Sequence, residues 1–194
     1  MKATLNFLSG DEIERIHEAS LRILKETGIR VDSEKVRKLL AKNGAVVNDK
    51  IVKIPSSLVE EAIKKAPQEI TLGARDSKWD LKIPSNDLPF LATSGFSSFV
   101  DDFETGKRRK STGSDLKDFA VIGDYLDTAS YFWPIVFPGE IPPPLQELYA
   151  LAISAENNRK HIQCSCVTEK TAKWQTRLAT VIVGGERELK KRPI

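Results

Sequence analysis

From about residue 88 onward, short apolar runs alternate with helix-length amphipathic stretches, and this rhythm restricts the fold more than any other feature. LPFLATSG is a short, nearly continuous apolar run, the pattern of a strand buried on both faces. SSFVDDFETGKRRKST reads as a hairpin turning at Glu104-Thr105-Gly106. SDLKDFAVIGDYLDT reads as a helix capped by Ser114, with Leu116, Phe119, Ala120 and Leu126 inward. SYFWPIVFP is strand-like, with Pro134 interrupting its ladder. PPPLQELYALAISAENN starts on prolines and carries the stripe Leu145, Leu148, Tyr149, Ala152 and Ile153. KHIQCSC is the next strand. Thr168 then caps a helix with Ala172, Gln175, Leu178, Ala179, Ile182 and Val183 on or beside its inner face, after which RPI opens another extended stretch.

Such alternation implies parallel strands joined by right-handed crossovers. A doubly wound sheet and a (β/α)8 barrel both satisfy it. No Gly-x-Gly-x-x-Gly follows any strand, which counts against the dinucleotide-binding fold. A barrel takes ~250 residues, so roughly three and a half of its units fit here. The barrel reading therefore implies an incomplete barrel, and incomplete barrels leave strand edges open to a second copy or another polypeptide.

The first 84 residues have a different rhythm. Ser9-x-x-Glu12 is a capping box opening a helix with Ile13, Ile16, Ser20, Ile23 and Thr27 on one face, Leu24 beside it, and Gly28 as its C-cap. Ile29–Val31 is extended. Asp32 is placed to cap a second helix carrying Val36, Leu39 and Leu40 and ending at Asn43-Gly44. AVVNDKIVKIP reads as a hairpin turning at Asn48-Asp49, and Ser57-x-x-Glu60 as a capping box for a third helix that Pro67 ends. EITLGARDSKWDLKIP alternates as two half-buried strands around Asp76-Ser77-Lys78. The expected organisation is a helix-and-hairpin elaboration over 1–84, then the first three to four β/α units of a barrel over 85–194.

Composition bounds the partners. Of 194 residues, 40% are apolar and 29% charged, enough for a packed core. A net charge of +3 does not point to nucleic acid. No run reaches the ~18 apolar residues of a membrane helix, and the start lacks a signal-peptide core, which together read as a cytoplasmic protein. The two cysteines, in Cys164-Ser165-Cys166, are too close in sequence for an ordinary structural bridge.

Four segments, in order, resemble the trimethylamine methyltransferase family: LSGDEIERIHEASLRILKETGIRV, VDDFETGKRRKSTGSDLKDF, IPPPLQELYALAISAENNRKHI and GGERELKKRPI. The resemblance runs from about Leu8 to Ile194. It implies a (β/α)8 barrel with an N-terminal elaboration. It also implies transfer of a methyl group from a methylated amine, such as trimethylamine or glycine betaine, to the Co(I) of a corrinoid carried by a separate partner protein. No cofactor would be bound directly. The pyrrolysine of the trimethylamine branch lies in the later half of the family's barrel, so the 194 residues are expected to be a front piece, inactive by themselves.

If the chain is a barrel, the working residues lie at the C-terminal ends of strands. Those ends are Ser94-Gly95-Phe96, Phe137-Pro138-Gly139-Glu140 and Ser165-Cys166-Val167. An ammonium substrate favours aromatic faces, and Phe96, Trp133 and Phe137 are available. The expected substrate-binding set is Ser94, Gly95, Phe96, Trp133, Phe137 and Ser165. Cys164 and Cys166 share a strand face, but His161 falls on the other and His17 is far off in sequence, so no zinc set forms. Lys107–Lys110 suits a solvated hairpin, with Asp101-Asp102 pairing with those bases or holding the turn. Asn157–His161 suits a helix-to-strand junction, and His161 stands at the wrong end of its strand for a catalytic base. No catalytic residue can be named from sequence.

Overall fold

The computed structural model describes residues 7–85, 89–95 and 97–194. Two compact units divide the chain, Met1–Gln68 and Glu69–Ile194. Both mix helices with small sheets, so the protein is of mixed α/β class.

In the first unit, α1 (Gly10–Arg22) starts on the expected capping box: Ser9 accepts from Glu12 N–H, and Glu12 Oε2 accepts from Ser9 N–H at 2.8 Å. A π-turn over Ile23–Thr27 continues it to Gly28, whose φ of 80° lets the chain swing into β1 (Ile29–Arg30). The cap of α2 (Glu34–Lys42) is Ser33, not Asp32. Arg30 takes the Asp32 carboxylate through two 3.1 Å bonds, leaving the Ser33 hydroxyl to accept from Val36 N–H. β2 (Val46–Asn48) and β3 (Ile51–Lys53) form the expected hairpin, and β1 adds to it in the order β1-β3-β2, all antiparallel. The expected box at Ser57 does not form. α3 (Ser56–Lys65) begins two residues earlier, behind Pro55, which has no side-chain acceptor.

The Glu60 side chain pairs instead with His17, Oε1 to Nε2 at 2.7 Å, tying α3 to α1. The core of this unit is small: Val52 and Ala45 are its buried apolar residues. The α1 stripe is not part of it, with Ile13, Ile16 and Ile23 each more than half exposed. The half-buried residues of α1 and its π-turn are instead His17, Ala19, Leu21 and Leu24.

The His17–Glu60 tie gives a first prediction. The Glu60 hydrogen bond raises the imidazole pKa above its ordinary value, against a smaller opposing effect of desolvation. Its contribution is therefore complete below the unfolded-state pKa and is lost as pH rises through the higher folded-state value. An NMR titration should place the His17 midpoint above that of an unstructured histidine. Glu60→Gln should lower that midpoint.

The second unit opens with β4 (Ile70–Leu72) and β5 (Leu81–Ile83), an antiparallel hairpin closed by a 3-10 turn at Ser77–Trp79. β6 (Phe99–Asp101) and β7 (Arg108–Lys110) form the next hairpin, turning at Gly106. Then come α4 (Gly113–Tyr125), α5 (Pro143–Asn157), α6 (Glu169–Val183) and α7 (Glu186–Lys191). Thr168 caps α6 and Gly184 ends it in the left-handed region, as the sequence implies. The cap of α4 is Thr112, not Ser114, because Asp115 stands at the third helical position and completes a capping box with it.

The extended runs between these helices pair at single residues. Ala92 pairs with Tyr131, Ser97 with Val136 and Phe132 with Ile162, all parallel. The three segments thus neighbour one another in chain order. Pro134 helps explain why the ladders stay short, since it has no N–H to donate. Phe132 and Val136 are fully buried and pack with Leu116 and Ala120 of α4 and Ala150 of α5.

Helix α5 departs from its expected stripe. Its buried residues are Ala150, Leu151, Ser154 and Ala155, while Leu145 and Tyr149 are 44% and 45% exposed. This helix is apolar nearly all round, and the smaller side chains, which permit the closest approach, face the core. After α7, Arg192–Ile194 form no strand among the described residues, although Gly73 N–H donates to Pro193 O at 2.8 Å.

Candidate functional site

The parallel pairing brings the ends of the three extended segments to one edge of the second unit. Ser97 N–H donates to Ile135 O and Phe137 N–H to Ser97 O, at 3.0 and 3.2 Å. Phe132 N–H donates to His161 O and Gln163 N–H to Phe132 O, both at 2.9 Å. Along 131–138 burial alternates: Phe132, Pro134, Val136 and Pro138 are buried, whereas Tyr131, Trp133, Ile135 and Phe137 are half-buried.

Of the expected substrate-binding residues, Phe137 and Ser165 lie near that edge. Ser165 is half-buried, and its carbonyl accepts from Gln175 Nε2 at 2.7 Å. Trp133 stands four residues before Phe137. Its backbone N–H and C=O both bond the Thr93 hydroxyl at 2.7 Å, so a side chain substitutes there for the missing strand ladder. Ser94 is exposed. Phe96 lies outside the described residues.

Gly95 has a structural duty. A Cβ on it would collide with the Pro134 carbonyl and come within 2.6 Å of Ile135 Cα, both backbone atoms that cannot step aside. Gly95→Ala should therefore cost about 1–3 kcal/mol by overpacking, read as a lower urea midpoint. Ser94→Ala next to it should stay within ~0.5 kcal/mol of the parent.

Phe137 lines a groove of about 860 Å³ between the first turns of α5 and α6. Trp174, Glu147, Leu145 and Val167 share it, and Val167 is 81% exposed. The groove wall continues along Leu148, Tyr149 and Trp174 toward Val181, with the Arg177 guanidinium 4.9 Å from the Trp174 ring centre. Leu145, Leu148, Tyr149 and Ala152 of the expected stripe thus line an outer groove, while Ile153 packs against the core as expected. Sequence reasoning missed Trp174 and Glu147; their helical offset from Thr168 and Pro143 was the available signal.

Charged groups around the edge are committed to each other. Arg109 grips Asp115 through two 2.8 Å bonds and reaches Asp102 at 3.2 Å. That pairing, with Thr112 adding hydrogen bonds, holds the Asp115 carboxyl far below its usual range. Asp102 also accepts from Thr105 N–H and Oγ, so it holds the hairpin turn as well. The basic run is thus partly neutralised, while Arg108 lies 4.8 Å from the Phe99 ring centre.

The junction 157–161 is a buried polar cluster. Asn158 donates to Ala120 O and accepts from Lys160 N–H, both at 2.9 Å. Lys160, 1% exposed, donates to Gly123 O and Leu126 O at the end of α4 and sits 4.7 Å from the Trp79 ring centre. It is a buried cation at a helix C-terminus, where the helix dipole favours it. Arg159 pairs with Asp124 at 2.7 Å. His161 Nδ1 is 2.8 Å from Gly73 O, at the end of its segment opposite the groove. Burial pushes the Cys164 thiol pKa up, while Cys166 is exposed. Among the described residues no three His, Cys, Asp or Glu side chains converge as a metal site would require. No described helix is long and apolar enough to cross a membrane.

Comparison with known proteins agrees with the sequence pattern. The family model described as trimethylamine methyltransferase (MTTB) matches residues 1–194. The trimethylamine methyltransferase MttB of Desulfitobacterium hafniense (strain DSM 10664 / DCB-2) is 28% identical over 96% of this chain and 38% of its own length. The glycine betaine methyltransferase of Desulfitobacterium hafniense (strain Y51) is 28% identical over 97% of this chain and 39% of its own. The trimethylamine methyltransferase MttB of Methanosarcina barkeri is 28% identical over 98% of this chain and 40% of its own. The chain thus spans about two fifths of the length of these relatives. With every one of its residues inside the family match, the chain belongs to the trimethylamine methyltransferase family.

Proposed function

We propose that this chain forms part of a methyltransferase that moves a methyl group from a methylated amine to the corrinoid of a partner protein. The observation that carries the reading is the order of the parallel segments. Ala92 and Ser97, residues 131–137 and residues 161–166 neighbour one another in chain order, with α4 and α5 as the intervening helices, as the first strands of a (β/α)8 barrel would. Family membership supplies the reaction class: the relatives are named for trimethylamine and glycine betaine.

In this reading the amine sits at the strand ends. Trp133 and Phe137 offer aromatic faces to its cation, and Ser165 and the backbone around Gly95 close the rim. The corrinoid belongs to the partner. The partner's Co(I) supplies the methyl acceptor. This chain's residues orient and desolvate the amine, which is where a protein contributes most to such a transfer.

The test is calorimetric titration with glycine betaine and with trimethylamine, followed by mixing with a reduced corrinoid protein and following its absorption spectrum. Phe137→Ala and Trp133→Ala should each weaken amine binding about two- to thirtyfold, the cation–π range. Absence of binding to either amine would remove the site from this chain. A second reading is a non-catalytic homologue that binds an ammonium compound or a partner subunit. The outer edge of 161–166, along which no strand pairs among the described residues, favours it. Amine binding without methylation of the corrinoid would support that alternative.

A further inference from the structure

The second extended segment, 131–138, does not form a continuous ladder with the first. Pro134 has no N–H to donate, and the backbone of Gly95 packs directly on the Pro134 carbonyl. Strand-type pairing is confined to Ala92 with Tyr131 and Ser97 with Val136. Trp133 lies in the gap between these bridges. Its backbone N–H and C=O are obligatory hydrogen-bonding groups and need partners from elsewhere.

One side chain supplies both. The Thr93 hydroxyl accepts from Trp133 N–H and donates to Trp133 O, each at 2.7 Å. A hydroxyl can do this from a single atom because it carries one donor and two acceptor lone pairs. The device recurs four residues later. The hydroxyl of Ser111, a residue 1% exposed, donates to Phe137 O at 2.7 Å. Ser111 is itself fixed: its N–H donates to Ser98 O at 3.1 Å, and its carbonyl accepts from Gly139 N–H at 3.0 Å. Phe137 N–H goes to Ser97 O, so the backbone at Phe137, like that at Trp133, is held at both its N–H and its C=O.

The two residues pinned in this way share one face of their segment, opposite the face on which Phe132 and Val136 are buried. They are also the two aromatic residues of the proposed amine site. A backbone held at N–H and C=O fixes the direction of the Cα–Cβ bond, and with it where the ring stands. Cation–π attraction requires the cation over the ring face within about 6 Å of its centre, so ring placement bears directly on affinity.

We propose that Thr93 and Ser111 are positioning residues of the amine site, aiming the Trp133 and Phe137 rings through the backbone atoms they bond. Both act through the aromatic residue and not on the amine. The inference rests on the reading of this edge as the amine site.

The first measurement is backbone amide exchange by NMR with no amine present. Trp133 N–H should be protected in the parent protein. In Thr93→Val, which keeps the side-chain shape and removes the hydroxyl, it should exchange about five- to hundredfold faster. Phe132 N–H, which bonds His161 O, should stay protected. Thr93→Ser keeps the hydroxyl and should restore protection. A Trp133 N–H that exchanges freely in the parent overturns the inference without any variant. The second measurement is calorimetric titration with glycine betaine. Thr93→Val and Ser111→Ala should each weaken binding, by no more than the about two- to thirtyfold of removing the ring each one aims. Thr93→Ser should keep the parent affinity. Thr93→Val should have no further effect in a Trp133→Ala background, nor Ser111→Ala in a Phe137→Ala background, because the aimed ring is gone. Hydroxyls that only brace the fold would lower the urea midpoint and leave affinity at the parent value in both variants. That result overturns the inference and leaves the amine site standing. A parent protein that binds no glycine betaine removes the amine site itself, and the aiming role with it.

Discussion

Phe132→Ala is expected to lower the stability of the second unit by about 3–5 kcal/mol, a large part of the ~5–15 kcal/mol that holds a typical domain together. Phe132 is fully buried and meets Leu116, Ala120, Val136 and Ala150 at the centre of the core. Truncation removes its transfer free energy and leaves a cavity between two helices and a backbone that cannot close over it. The measurement is a urea transition followed by tryptophan fluorescence. All three tryptophans, Trp79, Trp133 and Trp174, lie in the second unit, so the signal reports that unit alone.

The same site yields a sharper test. Gly123 lies against the Phe132 ring, and a Cβ there would approach ring carbon Cδ2 to 2.8 Å. Gly123→Ala should destabilise the parent protein. In the Phe132→Ala background the added methyl enters the vacated space and should cost little or nothing. The two changes should therefore be strongly non-additive, as expected for residues in direct contact. Additive costs would show that the ring does not occupy this position.

The second large effect is expected at Asn158. It is fully buried and serves two elements at once, donating to Ala120 O in α4 and accepting from the backbone N–H of Lys160. Asn158→Ala should cost about 2–4 kcal/mol. Most of this comes from leaving the buried Lys160 N–H without a partner, since the Ala120 carbonyl keeps its helical bond. Asn157→Ala, which removes only a side-chain bond to Ile153 O within α5, should cost about 1 kcal/mol. Equal costs at the two positions would mean that the junction is not the polar link between α4 and the third segment.

These two residues also mark where sequence reading succeeds and where it stops. The run that holds Phe132 was legible as strand-like, while which of its side chains enters the core was settled by packing against α4 and α5. Asn158 was read as a local C-cap, and its bond to α4 crosses 38 residues that no periodicity connects. The same contrast holds for the caps. Ser9 with Glu12 and Thr168 before α6 were read correctly from a few neighbouring residues. Asp32, Ser57 and Ser114 were misread, although Ser33, Pro55 and Thr112 lay within two positions of them. At α2 Arg30 engages Asp32 and leaves the cap to Ser33, at α4 Asp115 completes a box with Thr112, and at α3 the helix starts behind Pro55 with no side-chain cap.

Local chemistry in the sequence thus determined the helices and hairpins, the α/β alternation and, through four ordered segments, the family. Those features depend on dihedral preference, capping and period, all of which act over a few residues. Tertiary structure alone decided which face of α5 is buried, that Glu60 binds His17, that Gly95 lies against the Pro134 carbonyl, and that Lys160 closes the end of α4. Each of those depends on close packing between segments distant in the chain, where differences in side-chain volume and unpaired polar groups select one arrangement among several that the local pattern permits equally.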